Sequence, residues 1–238
     1  MWLKLTKNYS PNFDPKKRLK KRIRHIIIHY TGMKSELLAV KRLCDYKSKV
    51  SAHYFIKKNG DLLNLVPDLY VSWHAGKSNW GDYKRLNKSS IGIEIHNNGS
   101  EEFTKNQLNT LKKLLKTLII KYRIDLKNVL GHSDIAPDRK EDPGKKFPWK
   151  NLSKSKLAYF HNLKDKNIKK LRLLKLSKGE EKYFLKYLNE FGYRTVKSLT
   201  KTGKKNIIKA FQRRFRQKLI NGIPDKECLT ISKNLLKI

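Results

Sequence analysis

The sequence has few cysteines and no long run of apolar residues. Its 238 residues include only two cysteines, Cys44 and Cys228, and nothing resembles a C-x-x-C pair. The sequence therefore predicts neither a disulfide framework nor a cysteine-based zinc site. Because no stretch is long and apolar enough to cross a bilayer, we expect no transmembrane segment. Residues 1–8 lack the apolar core of a secretory signal, which favours a cytoplasmic location.

The sequence is also poor in acidic residues. It contains 20 Asp and Glu against 56 Lys and Arg, so its formal net charge is +36. Such an excess attracts polyanions, among them nucleic acid, a carboxylate-rich polymer and an anionic membrane surface. Alternatively, most of these lysines are simply solvated. A nucleic-acid-binding protein would need basic residues interleaved with exposed aromatics, or a known module, and the sequence shows neither. We therefore predict no specific nucleic-acid partner.

The first two thirds of the chain alternate between strand patterns and helix patterns. Runs of β-branched residues predict strands, and apolar residues at helical spacing predict helices. Thr104 and Gln107 match a capping box at the start of the longest helix. The alternation predicts an α/β fold. The predicted elements are strands at residues 22–30, 71–76 and 90–96, a hairpin at 52–57 and 62–66, and helices at 35–47 and 104–122.

The composition changes after Trp149. Residues 150–177 are rich in Lys, Asn and Ser, and three helical patterns punctuated by glycine follow them. These patterns predict a small all-α domain at the carboxyl end. The predicted division is an extended lead-in at 1–21, a main domain at 22–152, a basic linker at 153–177 and a helical domain at 178–238. The three helical patterns lie around Glu180–Phe191, Lys204–Lys218 and Lys226–Leu236.

Residues 131–144 combine a histidine, a lysine and several carboxylates with two prolines and a terminal glycine. Proline and glycine punctuation predicts a loop rather than a helix. His132 and Asp142 in this loop, together with His29 at the end of a predicted strand, form a ligand set suited to zinc. A single histidine in such a place is more often structural. Glu94 lies opposite three strand isoleucines, where burial requires a compensating partner, either a salt bridge or a metal site whose water it can engage.

Five short motifs lie between about residues 20 and 150. They are His29-Tyr30-Thr31, Ser51-Ala52-His53-Tyr54, Trp73-His74-Ala75-Gly76, Ile91-Gly92-Ile93-Glu94, and Gly131-His132-Ser133-Asp134-Ile135-Ala136-Pro137 with Arg139-Lys140-Glu141-Asp142-Pro143-Gly144. In sequence and in order they resemble those of zinc-dependent N-acetylmuramoyl-L-alanine amidases of the AmpD/AmiD type. The resemblance implies a mixed central β-sheet flanked by helices.

The same resemblance implies roles for individual residues. It makes His29, His132 and Asp142 the ligands of one Zn²⁺ per chain, Glu94 the general base and Lys140 the residue that stabilises the oxyanion. Many family members have Asn where this chain has Tyr30, a difference that concerns the substrate rather than the metal. The residues that the resemblance places along the substrate groove are Tyr30, Trp73, His74, Ala75 and Arg85.

The resemblance also implies a reaction, which is hydrolysis of the amide bond between N-acetylmuramic or anhydro-N-acetylmuramic acid and L-alanine. The expected partners are peptidoglycan or muropeptide fragments, and we expect a monomer. The carboxyl-terminal helices are similar to a peptidoglycan-binding domain, which makes the periplasm the alternative location to the cytoplasm. The alternative function is a non-catalytic peptidoglycan-recognition protein on the same fold, although such binders commonly lack a zinc ligand.

Overall fold

The computed structural model describes residues 5–7, 9–194 and 200–237. Residues 1–4 and 8 of the predicted lead-in, and 195–199 and 238 of the predicted helical domain, lie outside the described residues. No helix in the described ranges is long and apolar enough to span a membrane. The cysteines at positions 44 and 228 are both free thiols.

A six-stranded mixed sheet forms the centre of the fold, which confirms the predicted α/β class. Its strand order is β1-β5-β4-β9-β3-β10, and only the β4–β5 pair is antiparallel. Two short pairs, β2–β6 and β7–β8, lie outside it. The strands are β1 Leu5–Lys7, β2 Phe13–Asp14, β3 His25–Tyr30, β4 Tyr54–Ile56, β5 Leu62–Asn64, β6 Val71–Ser72, β7 Asn79–Trp80, β8 Tyr83–Lys84, β9 Ser90–Ile95 and β10 Val129–Gly131.

Helices flank the sheet and fill the carboxyl-terminal region. The capping box predicted at Thr104 and Gln107 is present and begins the longest helix. The helices are α1 Glu36–Cys44, α2 Lys105–Tyr122, α3 His132–Ile135, α4 Trp149–Lys154, α5 Asp165–Lys169, α6 Lys178–Phe191, α7 Lys201–Phe215 and α8 Lys226–Leu235.

The two central strands present different residues to the two faces of the sheet. Successive side chains of a strand point to opposite faces. On β3, Ile26 and Ile28 join the core that contains α2, whereas Ile27 joins a second core on the other face. On β9 the three isoleucines also belong to the α2 core, so Glu94 points to the opposite face, as predicted. That face is where the polar residues of the site collect.

The second core joins the sheet to the carboxyl-terminal helices. Ile27 and Leu130 of the sheet share this core with Phe184 of α6, Phe211 of α7 and Ile231 of α8. The helical region therefore packs directly on the face of the sheet opposite α2. The two regions bury apolar surface against each other. Their predicted division into an amidase domain and a separate helical domain stays a prediction.

The structure corrects one local prediction. The segment 131–144 is predicted to be loop throughout, but it begins with the one-turn helix α3. The extended lead-in contributes β1 to the central sheet and β2 to a small sheet, because its backbone finds strand partners there. The region predicted as a linker with some helix contains α5, and it buries Ile168 in the second core.

A buried ion pair links α7 to α3. Arg214 Nη1 lies 2.8 Å from Asp134 Oδ2, and both side chains are 1% exposed. Asp134 also accepts hydrogen bonds from the Gly131 amide at 2.8 Å and from the hydroxyl of Tyr193. The guanidinium of Arg214 lies 4.5 Å from the centre of the Trp149 ring. This cluster ties the carboxyl-terminal helices to the segment that follows β10.

Replacing Arg214 with methionine should destabilise the protein by about 3–5 kcal/mol, because it leaves the Asp134 carboxylate buried without its cation. Adding Asp134→Asn to that variant should recover part of the loss. The measurement is the free energy of unfolding in urea. The matched control is Lys186→Met, which removes an exposed i,i+4 pair with Glu190 and should change stability by less than about 0.5 kcal/mol. Equal effects of the two single changes would contradict the prediction.

Buried histidines should make the protein less stable in mild acid. Burial lowers the pKa of His25 to about 4, against 6.5 for an ordinary histidine. As pH falls from about 6.5 to 4, His25 therefore becomes protonated in the unfolded chain while it stays neutral in the folded protein. Each such group should cost about 1.4 kcal/mol of stability per pH unit in that window. His161, whose pKa is also lowered to about 4, adds to the slope.

The variant that tests this slope is His25→Phe. The Nε2 atom of His25 is buried and has no hydrogen-bond partner in the described chain, so the polar contacts that phenylalanine loses are those of Nδ1 with Ser89, at 3.2 and 3.3 Å. Urea unfolding at about pH 7 and about pH 5 should show a smaller loss of stability in the variant than in the parent. The same loss in both proteins would show that His25 does not contribute.

Candidate active site

The candidate site lies at the carboxyl ends of three neighbouring parallel strands. In the sheet β3 lies between β9 and β10, and His29 of β3 is paired with Glu94 of β9. Gly131 of β10 pairs with Ile28, so the next residue, His132, emerges beside His29. The carboxyl ends of parallel strands form an edge where ligands often bind. Strand register therefore brings three distant residues to one place.

His29, His132 and Asp142 converge on one point. His29 Nδ1 lies 3.0 Å from His132 Nδ1 and 3.0 Å from Asp142 Oδ2, and the other two atoms are 3.1 Å apart. All three residues are buried. The two histidines lower the pKa of the Asp142 carboxyl well below its usual range, although burial alone would raise it. Burial lowers the pKa of His29 to about 4, so its ring is neutral at pH 7 and can offer a lone pair.

The segment after α3 returns Asp142 to the two histidines. The Ser133 amide donates a hydrogen bond to the Asp142 carbonyl at 2.9 Å, which closes the loop. Gly131 leaves room for this return, because a Cβ there would lie 2.6 Å from Pro143 Cδ. Arg213 of α7 forms an ion pair with Glu141, the neighbour of Asp142, at 2.8 Å. The carboxyl-terminal helices thus hold both ends of the loop that carries the site.

The residues present fit a metal ion. Two imidazole nitrogens and one carboxylate oxygen form a donor set of the kind found at zinc sites that keep a position open. Nearby Glu94 has a buried Oε2 atom without a hydrogen-bond partner among the described residues. Burial, and next the charge of Asp142, raise the pKa of Glu94 to about 8. A carboxyl group whose oxygen has no partner beside three convergent donors is a group that a bound cation or its water would satisfy.

Glu94 and Lys140 face the same cavity, which measures about 500 Å³. Within the described ranges, Lys140 has no carboxylate within salt-bridge distance, so its ammonium group can meet a developing negative charge. Tyr30 lines the cavity beside Glu141 and Asp142. Its pKa is raised by burial and by these two carboxylates, so the phenol keeps its proton at neutral pH.

The other residues predicted along the substrate groove separate into different positions. Trp73 lines the main cavity and also a second one of about 640 Å³, and its indole donates to Asp14 Oδ1 at 2.7 Å. Arg85 lines the second cavity and is not among the residues that line the main one. His74 lines the main cavity but is largely buried against His29. Ala75 is fully buried, and its carbonyl oxygen lies within hydrogen-bond distance of Arg139 and His132.

Sequence reasoning assigned no role to Asp134, Arg139 or Arg213. Arg139 lines the cavity and donates to the Ala75 carbonyl at 2.6 Å and to the Lys77 carbonyl at 2.7 Å. Asp134 and Arg139 lie inside the motif around residues 131–144, so their positions were a signal. Arg213 lies in a lysine-rich and arginine-rich helix, where nothing in the sequence distinguishes it from exposed cations such as Lys201 and Lys205.

Comparison with known proteins gives a consistent result. Residues 19–145 match the family described as N-acetylmuramoyl-L-alanine amidase. The chain is 33% identical over 232 residues to N-acetylmuramoyl-L-alanine amidase AmiD of Escherichia coli, covering 91% of this chain and 83% of that protein. It is 42% identical over 101 residues to the 1,6-anhydro-N-acetylmuramyl-L-alanine amidase AmpD of Salmonella typhimurium, covering 42% of this chain and 54% of that one.

Solved structures agree over nearly the whole length. The structure of E. coli AmiD in complex with the substrate anhydro-N-acetylmuramic acid-L-Ala-D-γ-Glu-L-Lys superposes with a TM-score of 0.82 at 32% identity, covering 91% of this chain and 89% of that one. AmpDh3 of Pseudomonas aeruginosa superposes with a TM-score of 0.79 at 30% identity, covering 94% and 93%. Both similarities extend beyond the family match into the carboxyl-terminal helices.

Proposed function

Because the chain belongs to the N-acetylmuramoyl-L-alanine amidase family, we propose that it hydrolyses the amide bond between N-acetylmuramic acid, or its anhydro form, and the L-alanine of the stem peptide. The observation that carries the proposal is the convergence of His29, His132 and Asp142 beside the unpartnered carboxylate of Glu94. This arrangement supports an enzyme over a binding protein on the same fold, because a pure binder has no use for a base there.

We propose that His29, His132 and Asp142 hold one zinc ion per chain through His29 Nδ1, His132 Nδ1 and a carboxylate oxygen. When bound, zinc supplies Lewis-acid chemistry, lowering the pKa of water and polarising a carbonyl. The supporting facts are the donor set and the mutual distances of about 3 Å between the three atoms. The neutral imidazole of His29 and the ionised carboxylate of Asp142 are already in the protonation states that metal binding requires.

Glu94 and Lys140 would carry the proton and charge changes. Glu94 takes the proton of the attacking water and passes it to the departing L-alanine nitrogen. The ammonium group of Lys140 faces the carbonyl oxygen as negative charge develops on it. Loss of one such stabilising donor typically costs roughly 10²–10³ in rate. Both side chains line the same cavity, which supports these roles.

We propose that the substrate occupies the main cavity and continues past Trp73 into the second. Tyr30 and Trp73 would contact the sugar and the first residues of the stem, and Arg85 would meet a stem-peptide carboxylate farther along. The second cavity is strongly basic, which suits a substrate that carries several carboxylates. Its other cationic residues are Lys77, Lys84, Lys88 and Arg194.

Replacing Arg85 with glutamine should raise KM on the order of tenfold with little change in kcat. A hydrogen bond to a charged group contributes about 1.5–3 kcal/mol, and a contact made equally in ground and transition states affects binding alone. Steady-state kinetics on a soluble muropeptide measures both constants. Arg22→Gln, at an exposed arginine outside both cavities, is the matched control. An unchanged KM for Arg85→Gln would remove Arg85 from the substrate site.

The reaction is tested by mass spectrometry of the products. A soluble anhydro-muropeptide should be split into the anhydro sugar and the free stem peptide, and intact sacculi should release stem peptides. AmpD is named for the 1,6-anhydro sugar, and AmiD was crystallised with an anhydro substrate, which supports the anhydro form as the preferred substrate here. An inert protein that still retains muropeptides would instead be a peptidoglycan-recognition protein.

We propose a cytoplasmic site of action, with the periplasm as the alternative. Turnover of soluble anhydro-muropeptides far faster than of sacculi would fit recycling inside the cell. Comparable rates on sacculi would fit action on the polymer. Fractionation of cells that express the full-length protein distinguishes the two compartments directly, and the product ratio from the two substrates should agree with it.

A further inference from the structure

A series of hydrogen bonds between buried polar groups leads away from His29, on the side opposite Asp142. His29 Nε2 lies 3.1 Å from His74 Nδ1, and His74 Nε2 lies 3.1 Å from Ser90 Oγ. The Ser90 hydroxyl lies 2.6 Å from the Leu86 carbonyl oxygen. The series of hydrogen bonds therefore ends on a carbonyl acceptor, which has no proton to donate.

The two ends of this series of hydrogen bonds require the same arrangement of protons. Because a carbonyl only accepts, the Ser90 hydroxyl donates to Leu86 and is free to accept from His74 Nε2–H. His74 is then protonated on Nε2, and its Nδ1 carries a lone pair. That lone pair can accept only if His29 is protonated on Nε2. In this tautomer the His29 Nδ1, which faces His132 and Asp142, is unprotonated.

We infer that His74 is a positioning residue for the metal centre, and that it fixes the tautomer and orientation of His29. This inference rests on the metal site proposed above. A ligating histidine whose other nitrogen donates to a fixed acceptor is held with its lone pair directed at the metal. The resemblance had instead placed His74 along the substrate groove.

His74 has little exposed surface that substrate could contact. The residue is 9% exposed, and both of its ring nitrogens have partners inside the protein. A lysine ammonium could not replace the ring in this place, because it has no lone pair to accept from His29 Nε2–H.

Gly92 of β9 is part of the same device. A Cβ at position 92 would lie 2.4 Å from His74 Cγ, a distance that the packed ring cannot relieve by a small shift. The glycine interrupts an otherwise isoleucine-rich strand at the residue that the imidazole covers. The absence of a side chain at Gly92 thus makes room for His74 beside His29. The backbone amide of Gly92 donates to His53 Nδ1 at 2.9 Å, which fixes the strand against a second buried histidine.

The first test measures zinc affinity by competition with a chelator of known strength. His74→Phe keeps the ring but removes the acceptor, and it should weaken zinc binding by about 10- to 100-fold. His74→Gln can still present a side-chain oxygen and should bind zinc more tightly than His74→Phe. The matched control is His25→Phe, which changes a buried histidine on the same strand as His29 but outside this series of hydrogen bonds. It should bind zinc like the parent.

The outcomes separate this inference from the proposed function. If the parent protein binds no zinc at stoichiometric concentration, the proposed metal centre is wrong and the inference falls with it. If the parent binds zinc and His74→Phe binds it equally tightly, the metal centre stands and the inference is overturned. A His74→Phe protein that does not fold moves the comparison to His74→Gln and Ser90→Ala. Both should bind zinc measurably more weakly than the parent, and parental affinity in both overturns the inference.

The second test reads the tautomer without metal or substrate. Nitrogen-15 NMR of the labelled, metal-free protein distinguishes a protonated from an unprotonated ring nitrogen. Because the Asp142 carboxylate can accept from Nδ1 in the metal-free protein, the two tautomers of His29 compete. His29 of the parent should populate the Nε2-protonated tautomer more than His29 of Ser90→Ala or His74→Gln does. A merely structural role for His74 would leave that ratio unchanged, and the same ratio in the parent and in both variants would overturn the inference.

Discussion

Removing metal from the protein should abolish hydrolysis, and zinc should restore it. Without the ion, the proposed site holds two imidazoles and a carboxylate, none of which supplies the Lewis acid that lowers the pKa of water and polarises the scissile carbonyl. His29→Ala, His132→Ala and Asp142→Ala should each bind zinc far more weakly and lose turnover with it. The measurements are metal content by mass spectrometry and hydrolysis of a soluble muropeptide after dialysis against a chelator.

The control for the metal ligands is Asp165→Ala. Asp165 is a carboxylate on α5 that pairs with Lys150 at the surface, at 2.7 Å, and it has no part in the cavity. This variant should keep one zinc per chain and parental turnover. Full activity in a protein shown to be free of metal would end the zinc-hydrolase proposal, whatever the variants do.

Glu94→Gln should keep its zinc and lose most of its turnover. The amide has the shape of the carboxylate but cannot accept a proton from the attacking water. General base catalysis typically contributes 10²–10⁴ in rate, so we expect kcat to fall by about that factor. Lys140→Ala should also keep its zinc and lose roughly 10²–10³. Rapid-quench kinetics and metal analysis on the same preparations separate lost chemistry from lost metal.

The matched control for this change is Glu102→Gln, which alters an exposed glutamate whose only ion pair in the described chain is a 3.4 Å contact with Lys146. It should leave kcat unchanged. If Glu94→Gln turns over at near the parental rate, the base lies elsewhere. If it loses its zinc, Glu94 instead contributes to metal binding, and its proposed role as the general base is wrong.

Much of the fold follows from local pattern. Alternation on β9 predicted correctly that Glu94 faces away from its isoleucines, because strand geometry depends only on neighbouring residues. The cap at Thr104 was confirmed for the same reason. The helix predicted around Lys204–Lys218 instead spans Lys201–Phe215, since helix ends depend on caps and packing that periodicity does not record.

The loop prediction for residues 131–144 failed at a tertiary contact. Proline and glycine correctly mark the turns after Ile135, but the residues before them form a helical turn. In that turn Asp134 accepts from the Gly131 amide and pairs with Arg214, which lies 80 positions away in the chain. A one-turn helix has too little local stability to be read from sequence.

From the sequence alone one can predict the α/β class, the two faces of the central strands and, through the motifs, the family. These depend on residue periodicity and on short segments, both of which are local. The resemblance also implied that His29, His132 and Asp142 share a site, but the distances between them and the groups that support them come from the tertiary structure. His29 lies 113 positions from Asp142 and 45 from His74, and parallel strand register and a returning loop bring them to about 3 Å. Contacts at such separations depend on how whole elements pack, so the sequence does not reveal that His74 supports a ligand or that Arg213 and Arg214 hold the loop of the site.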